Sequence, residues 1–279
     1  MQTKIAVVTG ASGGLGSELC KFIAATGINL VLVDRNPQKS QAFATELNGL
    51  YPGIVQDTFA VDLANHNDIK RVASEILAHY PTIDFLFNNA GVLTETLQFS
   101  GHDNELHFEV NTLAPLQLID GLRSALKQAN GATIVSTSAG LAKRVQELPW
   151  DELLKPTTFT KLYGPYVSSK QALNVITAAL APELLQDNII IRTADPGPNK
   201  TRLTKGAGTP LWMRLFYSLL PTPDQGAKKI FDAAFLPQWD HKSGIFISDQ
   251  KIQSLPPALA DERFQKDFLR RCRERAALV

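Results

Sequence analysis

A doubly wound, three-layer α/β/α fold with a parallel sheet is the class this 279-residue sequence predicts. Three observations point to it. Continuous apolar runs such as Ile5–Val8, Leu30–Val33 and Ile189-Ile190-Ile191 suit strands buried on both faces. Segments of helical periodicity alternate with them. No repeat, low-complexity tract or Pro/Ser-rich linker divides the chain, so residues 1–279 read as one domain. Composition agrees: 44% hydrophobic and 20% charged residues allow a large core. The net charge of +1 supplies no global field for nucleic acid or an anionic membrane. Cys20 and Cys272 lie too far apart in sequence to suggest a disulfide scaffold, and no signal pattern opens the chain. A reduced, cytoplasmic compartment is expected, with no transmembrane segment.

The first strand, Ile5–Val8, stops at Thr9-Gly10, and Leu15, Leu19, Phe22 and Ile23 have helical offsets up to Gly27. Leu30–Val33 is the second strand, Pro37–Leu47 a helix and Phe59–Val61 the third strand, closed by Asp62. Ile69–His79 is helical, and Ile83–Phe87 runs into Asn88-Asn89-Ala90-Gly91. A long helix over Glu105–Lys127, a strand at Thr133–Ser136, a helix over Tyr163–Leu185 and a strand at Asn188–Thr193 continue the alternation. Residues 200–221 break the rhythm with two glycines, Pro210 and the apolar run Leu211–Leu220. A helix restarts with Thr222 as cap, Pro223 in the first turn and Gln225 completing a capping box. Gly244–Ile247 is the last strand, and 257–278 a terminal helix with a weak stripe of Phe264, Phe268 and Leu269.

Chemistry enters at Gly10-Ala11-Ser12-Gly13-Gly14-Leu15-Gly16, between the first strand and helix. Glycines let backbone N–H groups approach a pyrophosphate at the positive helix end, and Gly16 permits close helix–sheet packing. Asp34 ends the next strand 18 residues after Gly16, where a carboxylate accepts hydrogen bonds from an adenosine ribose. The context is that of a Rossmann-type dinucleotide site. No Gly-Lys-Ser/Thr follows, so a P-loop is excluded.

With these motifs the sequence resembles the short-chain dehydrogenase/reductase family over about residues 4–244. Gly10, Gly14 and Gly16 match its glycine spacing, residues 88–91 its Asn-Asn-Ala-Gly, Tyr166 and Lys170 its Tyr-x-x-x-Lys, and Pro196-Gly197 its post-strand turn. Asp103-x-Glu105, Phe108-x-Val110-Asn111 and Gly226-Ala227 resemble the retinol-dehydrogenase-like branch. The resemblance implies an adenine contact at Asp62 and Leu63, cofactor contacts at Asn89, Ala90 and Gly91, and a nicotinamide-amide contact at Thr201.

Tyr166 and Lys170 share a helix face. A tyrosine hydroxyl titrates near pKa 10, and a neighbouring ammonium lowers that value toward useful acid/base chemistry. The resemblance gives Lys170 a second role on the nicotinamide ribose, and gives Asn111 a helix interruption that supports the relay. It also places a catalytic serine at the end of the fifth strand. A gapless reading puts Ala139 there and Ser138 one residue early, facing the other way. Ser138 is expected to orient the carbonyl, brought into the site by a bulge of the strand end; without that bulge the orienting hydroxyl is absent. Tyr163 has no lysine four residues on, so it is expected to pack or line the pocket.

Cofactor choice is NAD or NADP: Asp34 favours NAD, Arg35 admits NADP, and Gly13 replaces a basic residue of several NADP-dependent relatives, which tips the reading to NAD. Residues 200–221 are expected to form an apolar substrate lid, with Trp150–Thr160 as a second wall. A membrane-seeking amphipathic helix is the rival reading of the first. The function that follows is hydride transfer between NAD(P)(H) and a lipophilic alcohol/carbonyl pair. A nucleotide-binding regulatory protein that has lost chemistry is the alternative, motivated by Ala139. The five histidines (His66, His79, His102, His107, His241) lack metal-ligand spacing and read as surface residues, Cys20 as an inert buried thiol and Arg270–Arg275 as a solvated helix end. The resemblance implies a homodimer or homotetramer paired through the 105–127 and 163–185 helices.

Overall fold

The computed structural model describes residues 3–200, 205–206, 208–210 and 217–276. The apolar runs form β1 (Ile5–Thr9), β2 (Asn29–Asp34), β3 (Val55–Ala60), β4 (Phe85–Asn88), β5 (Thr133–Thr137), β6 (Ile190–Ala194), β7 (Ile245–Ser248) and β8 (Lys251–Gln253). They join in one sheet ordered β3-β2-β1-β4-β5-β6-β7-β8, parallel except for the β7–β8 pair. The order reverses between β1 and β4, so the C-terminal ends of those strands open onto a crevice, the usual ligand position in such sheets.

Period-2 alternation assigns the strand residues to two cores. Val7, Val31, Leu86, Ile134 and Ile191 face one side, with α3 (His66–His79), α5 (Ala114–Gln128) and α7 (Pro165–Leu185). Val8, Leu32, Phe87 and Val135 face the other, with α1 (Gly14–Ala24), α2 (Pro37–Leu50) and the Pro223–Phe235 helix. The three-layer expectation holds.

Several boundaries differ for local reasons. β3 begins at Val55 because it is an edge strand whose polar residues Gln56, Asp57 and Thr58 hide it from an apolar-run search. The helical stretch over 105–127 is interrupted around Asn111, where the resemblance implies a break: α4 (Leu106–Phe108) passes through a π-turn at Glu109–Leu113 before α5 begins. The signal for this break is Pro115, which has no N–H to donate back to the carbonyl of Asn111. α7 starts at Pro165, with Leu162 in the left-handed region (φ 65°) and Tyr163 outside the helix and exposed. β8 was not anticipated: Asp249 and Gln250 both have positive φ (51° and 57°), the geometry of a tight two-residue hairpin, without the usual glycine. Thr222 does cap the next helix by position, but its side chain makes no capping bond, so the expected capping box is not formed.

The terminal helix is two, Pro257–Ala260 and Glu262–Arg275, restarted by Asp261, whose carboxylate accepts from Phe264 N at 2.8 Å. It is not a solvated end. Phe268, Leu269 and Cys272 are buried in the α5–α7 core. Arg273 binds Asp120 of α5 (2.9 Å) and Glu183 of α7 (3.1 Å), while Arg275 binds Asn104 and the carbonyls of His102 and Asp103 (3.0 Å). The helix therefore bridges α5 and α7, the elements through which pairing with a second copy was expected. Among the described residues no helix is long and apolar enough to cross a membrane. Thr201, residues 202–204, 207 and 211–216, and residues 277–278, parts of the expected cofactor contact, lid and terminal helix, lie outside the described residues.

Candidate active site

The glycine turn is locked by close backbone contacts. Gly10 has φ +65°, and a Cβ there would sit 3.0 Å from Ala90 Cα. A Cβ on Gly16 would lie 2.0 Å from the Gly10 carbonyl oxygen and 2.9 Å from Asn89 Nδ2. Asn89 donates to the carbonyls of Thr9 (3.1 Å) and Gly10 (3.3 Å), and Ala90 N donates to Thr9 Oγ1 (3.1 Å). Gly13 and Gly14 are exposed at the start of α1, with Ser12 and Leu15 half-buried beside them. The result is a cradle that side chains would fill, aimed by a helix N-terminus, and it fits a dinucleotide pyrophosphate.

Asp34 is drawn inward. Its carboxylate accepts from Ser12 N (3.1 and 3.2 Å) and Ser40 Oγ (2.9 Å) and is 5% exposed, so it braces the turn. Ser40 was not anticipated as its partner. Arg35 stands exposed beside it. Asp62 is exposed after β3 and accepts from Ala64 N (3.0 Å), with Leu63 packed on the core.

Across β4, Gly91 is the junction. A Cβ on it would lie 3.0 Å from Asn111 Oδ1 and 3.5 Å from Lys170 Nζ. Asn111 is fully buried in the π-turn. Its Oδ1 accepts from Val92 N (2.9 Å), and its Nδ2 donates to Val92 O (3.2 Å) and Ser169 Oγ (3.1 Å). Thr112 donates to Ser169 O at 2.7 Å, so the π-turn grips α7 one residue from Lys170. Lys170 Nζ donates to Thr137 O at 2.7 Å, and burial lowers its pKa to about 7. Tyr166 lies one helical turn earlier. Its pKa is not lowered here: burial first, and the Asp195 carboxylate second, push it above the usual phenol value. Lys170 Nζ is turned to Thr137 O and is itself desolvated, so burial and Asp195 set the direction of the Tyr166 shift in this arrangement.

The bulge that would bring Ser138 into the site does not form. β5 pairs with β6 in unbroken register to Thr137–Ala194, and Ser138 N continues the ladder to Ala194 O (2.8 Å). The Ser138 hydroxyl is buried and donates to Lys170 O at 3.4 Å. Ala139, in extended backbone (φ −147°, ψ 137°), presents its methyl to the opposite face. Beyond β6, Pro196 is buried and Gly197 has φ +75° with its N–H on Asp195 Oδ1 (2.8 Å). Asn199, missed from sequence, donates to the carbonyls of Pro196 (2.9 Å) and Gly197 (2.8 Å). A Cβ on Gly226 would strike it at 2.3 Å, so that glycine was the available signal.

Two histidines expected at the surface are buried. His66 Nε2 meets Glu109 Oε1 at 2.7 Å, and His107 Nδ1 meets Glu105 Oε1 at 2.6 Å. Neither sits in a group of three or more side chains able to hold a metal among the described residues. Trp150 does not wall the site; it packs edge-on to Phe108 and Phe268 (5.9 Å each), under the terminal helix. Phe159, from the same stretch, does approach, 6.3 Å from the His107 ring. Cys20 is buried, and burial pushes its thiol pKa up, as for an inert core residue.

A family model described as short chain dehydrogenase matches residues 4–149. Retinol dehydrogenase 11 of Mus musculus is 28% identical over 250 residues, covering 89% of this chain and 78% of that protein. An uncharacterized protein from Mycobacterium paratuberculosis superposes with a TM-score of 0.76 at 19% identity, over 98% of this chain and 93% of that one. A 3-ketoacyl-(acyl-carrier-protein) reductase from Brucella melitensis, complexed with NADH, gives 0.68 at 23% identity over 87% and 95%. At such identities the two structures speak for the fold.

Proposed function

The chain belongs to the short chain dehydrogenase family and is an NAD(P)-dependent oxidoreductase acting on CH–OH groups; from that premise we propose that it interconverts a lipophilic alcohol and its carbonyl compound, with Tyr166 as acid/base. The observation that carries this is that Asn111 Oδ1 and Lys170 Nζ both crowd Gly91, where a Cβ would lie 3.0 and 3.5 Å from them, one turn from Tyr166 and across β4 from the glycine cradle. Gly10, Ser12, Gly13, Gly14, Leu15 and Gly16 would hold the pyrophosphate. Asp62 and Leu63 would hold the adenine, and Asn89, Ala90, Gly91, Pro196, Gly197 and Thr201 the nicotinamide half. When bound, the nicotinamide supplies or accepts the hydride. Tyr166 gives its phenolic proton to the carbonyl oxygen in reduction and takes one from the alcohol in oxidation. Lys170 binds the ribose hydroxyls and, when protonated, steadies the phenolate. Asn111 fixes the chain around both. Ser138 supports the Lys170 carbonyl, and Ala139 leaves the substrate oxygen without a strand-end hydroxyl donor.

NAD is the preferred nucleotide in this reading: the inward carboxylate of Asp34 puts negative charge under the turn, which disfavours a 2′-phosphate despite Arg35. A lipophilic substrate is supported by the retinol dehydrogenase relatives and by the apolar ring of Phe159 near the site. The helix bridging α5 and α7 supports a protomer that does not pair through that face. Tyr166→Phe tests the central claim: turnover of an apolar aldehyde falls on the order of 10³-fold, and the nucleotide Kd changes by less than about twofold. Turnover retained in that variant overturns it.

A further inference from the structure

Glu105 and His107 form a buried pair that the acid/base roles leave unexplained. Both side chains are 1% exposed. Glu105 caps α4 by accepting from Phe108 N (3.0 Å) through one oxygen and meets His107 Nδ1 (2.6 Å) through the other. On the far edge of the imidazole, Thr94 N donates to Nε2 at 3.0 Å. A backbone amide only donates, so Nε2 accepts and the ring proton sits on Nδ1, given to Glu105. Each edge of the ring is thus committed, and its orientation is fixed.

The fixed ring touches both flanks of the site. It stands edge-on to the Tyr166 ring at 6.0 Å and faces Phe159 at 6.3 Å. Through Thr94 it pins the segment that leaves Gly91, which Asn111 already holds at Val92 (2.9 Å). That segment backs the chain at Gly208: a Cβ there would lie 2.5 Å from Thr94 O and 2.8 Å from Leu93 O. Val92–Thr94 is therefore a rigid shelf between the Tyr166 helix and the Gly208 segment, anchored at one end by Asn111 and at the other by His107.

We infer that His107, held by Glu105, is a positioning residue that sets the substrate-side wall at Thr94 and thereby governs discrimination between long and short apolar substrates. This rests on the dehydrogenase reading above. A small carbonyl compound touches only the Tyr166 end, whereas a long one extends along the wall and senses where the shelf sits.

The test compares KM and kcat for butanal and dodecanal in His107→Leu, His107→Asn and His107→Gln. The glutamine oxygen reaches the Nε2 position and can accept from Thr94; the asparagine keeps only the donor toward Glu105. Loss of the Thr94 bond in the Leu and Asn variants raises KM for dodecanal about tenfold and that for butanal less than about threefold, while Gln recovers most of the dodecanal KM. Equal loss on both aldehydes, an unchanged dodecanal KM, or Gln no better than Asn overturns the inference. If His107→Leu does not fold, the Asn–Gln comparison decides. Tyr166→Phe run alongside separates the two claims: turnover retained there defeats the acid/base reading, whereas an inactive Tyr166→Phe with no chain-length effect at His107 defeats only the wall.

Discussion

The glycine cradle and the Asn111–Tyr166–Lys170 cluster flank β4 and are built in opposite ways. The cradle is made from what is missing: Gly10 and Gly16 bring two backbone segments to distances that a Cβ would forbid. It is nearly complete within seven consecutive residues. The cluster is made from side chains on separate elements, the π-turn and α7, joined by bonds spanning 58 residues. A backbone device fails when anything is added, while a side-chain device fails when a specific atom is removed or misdirected.

The cradle should be the less forgiving of the two. Gly16→Val sets a branched side chain against the Gly10 carbonyl, and we expect about 3 kcal/mol lost in urea unfolding together with loss of nucleotide binding in a fluorescence titration. A variant that binds nucleotide normally would show that the turn opens more easily than its contacts imply.

On the cluster side, Ala139→Ser adds the hydroxyl that the unbulged strand end lacks. Turnover should rise about tenfold, while Ser138→Ala, which loses only the bond to Lys170 O, should cost less than about threefold. The reverse order of effects would mean that Ser138 does turn into the site.

Lys170 gives the comparison a pH signature. Burial lowers its pKa from 10.5 to about 7, so between those values the unfolded chain binds a proton that the folded chain does not. Stability therefore rises with pH across that window, and the penalty is fully present below it. Lys170→Met should flatten that rise in urea midpoints measured at about pH 7 and about pH 10. An unchanged slope would place the titration elsewhere.

The smallest effect is expected far from both regions. Arg273→Ala unlinks the terminal helix from Asp120 and Glu183, which costs about 1 kcal/mol in thermal or urea unfolding. Sedimentation of the unmodified chain should give a monomer. A stable dimer would require a face other than the one the terminal helix covers.

The sequence by itself determined the layer order, the strand-turn-helix around Gly10–Gly16 and the shared face of Tyr166 and Lys170. Each depends on periodicity or on conformational freedom within a window of a few residues. Tertiary structure decided the rest. Asp34 turns inward because Ser12 and Ser40 offer it donors once the turn closes. Ser138 faces the α7 backbone because β6 keeps the ladder in register. His66 and His107 leave the surface because Glu109 and Glu105 fold beneath them, and Arg273 is tied down by an aspartate 153 residues away. A polar side chain carries no local mark of the partner it will find, since that partner comes within reach only after distant segments pack and remove the water that would otherwise satisfy it.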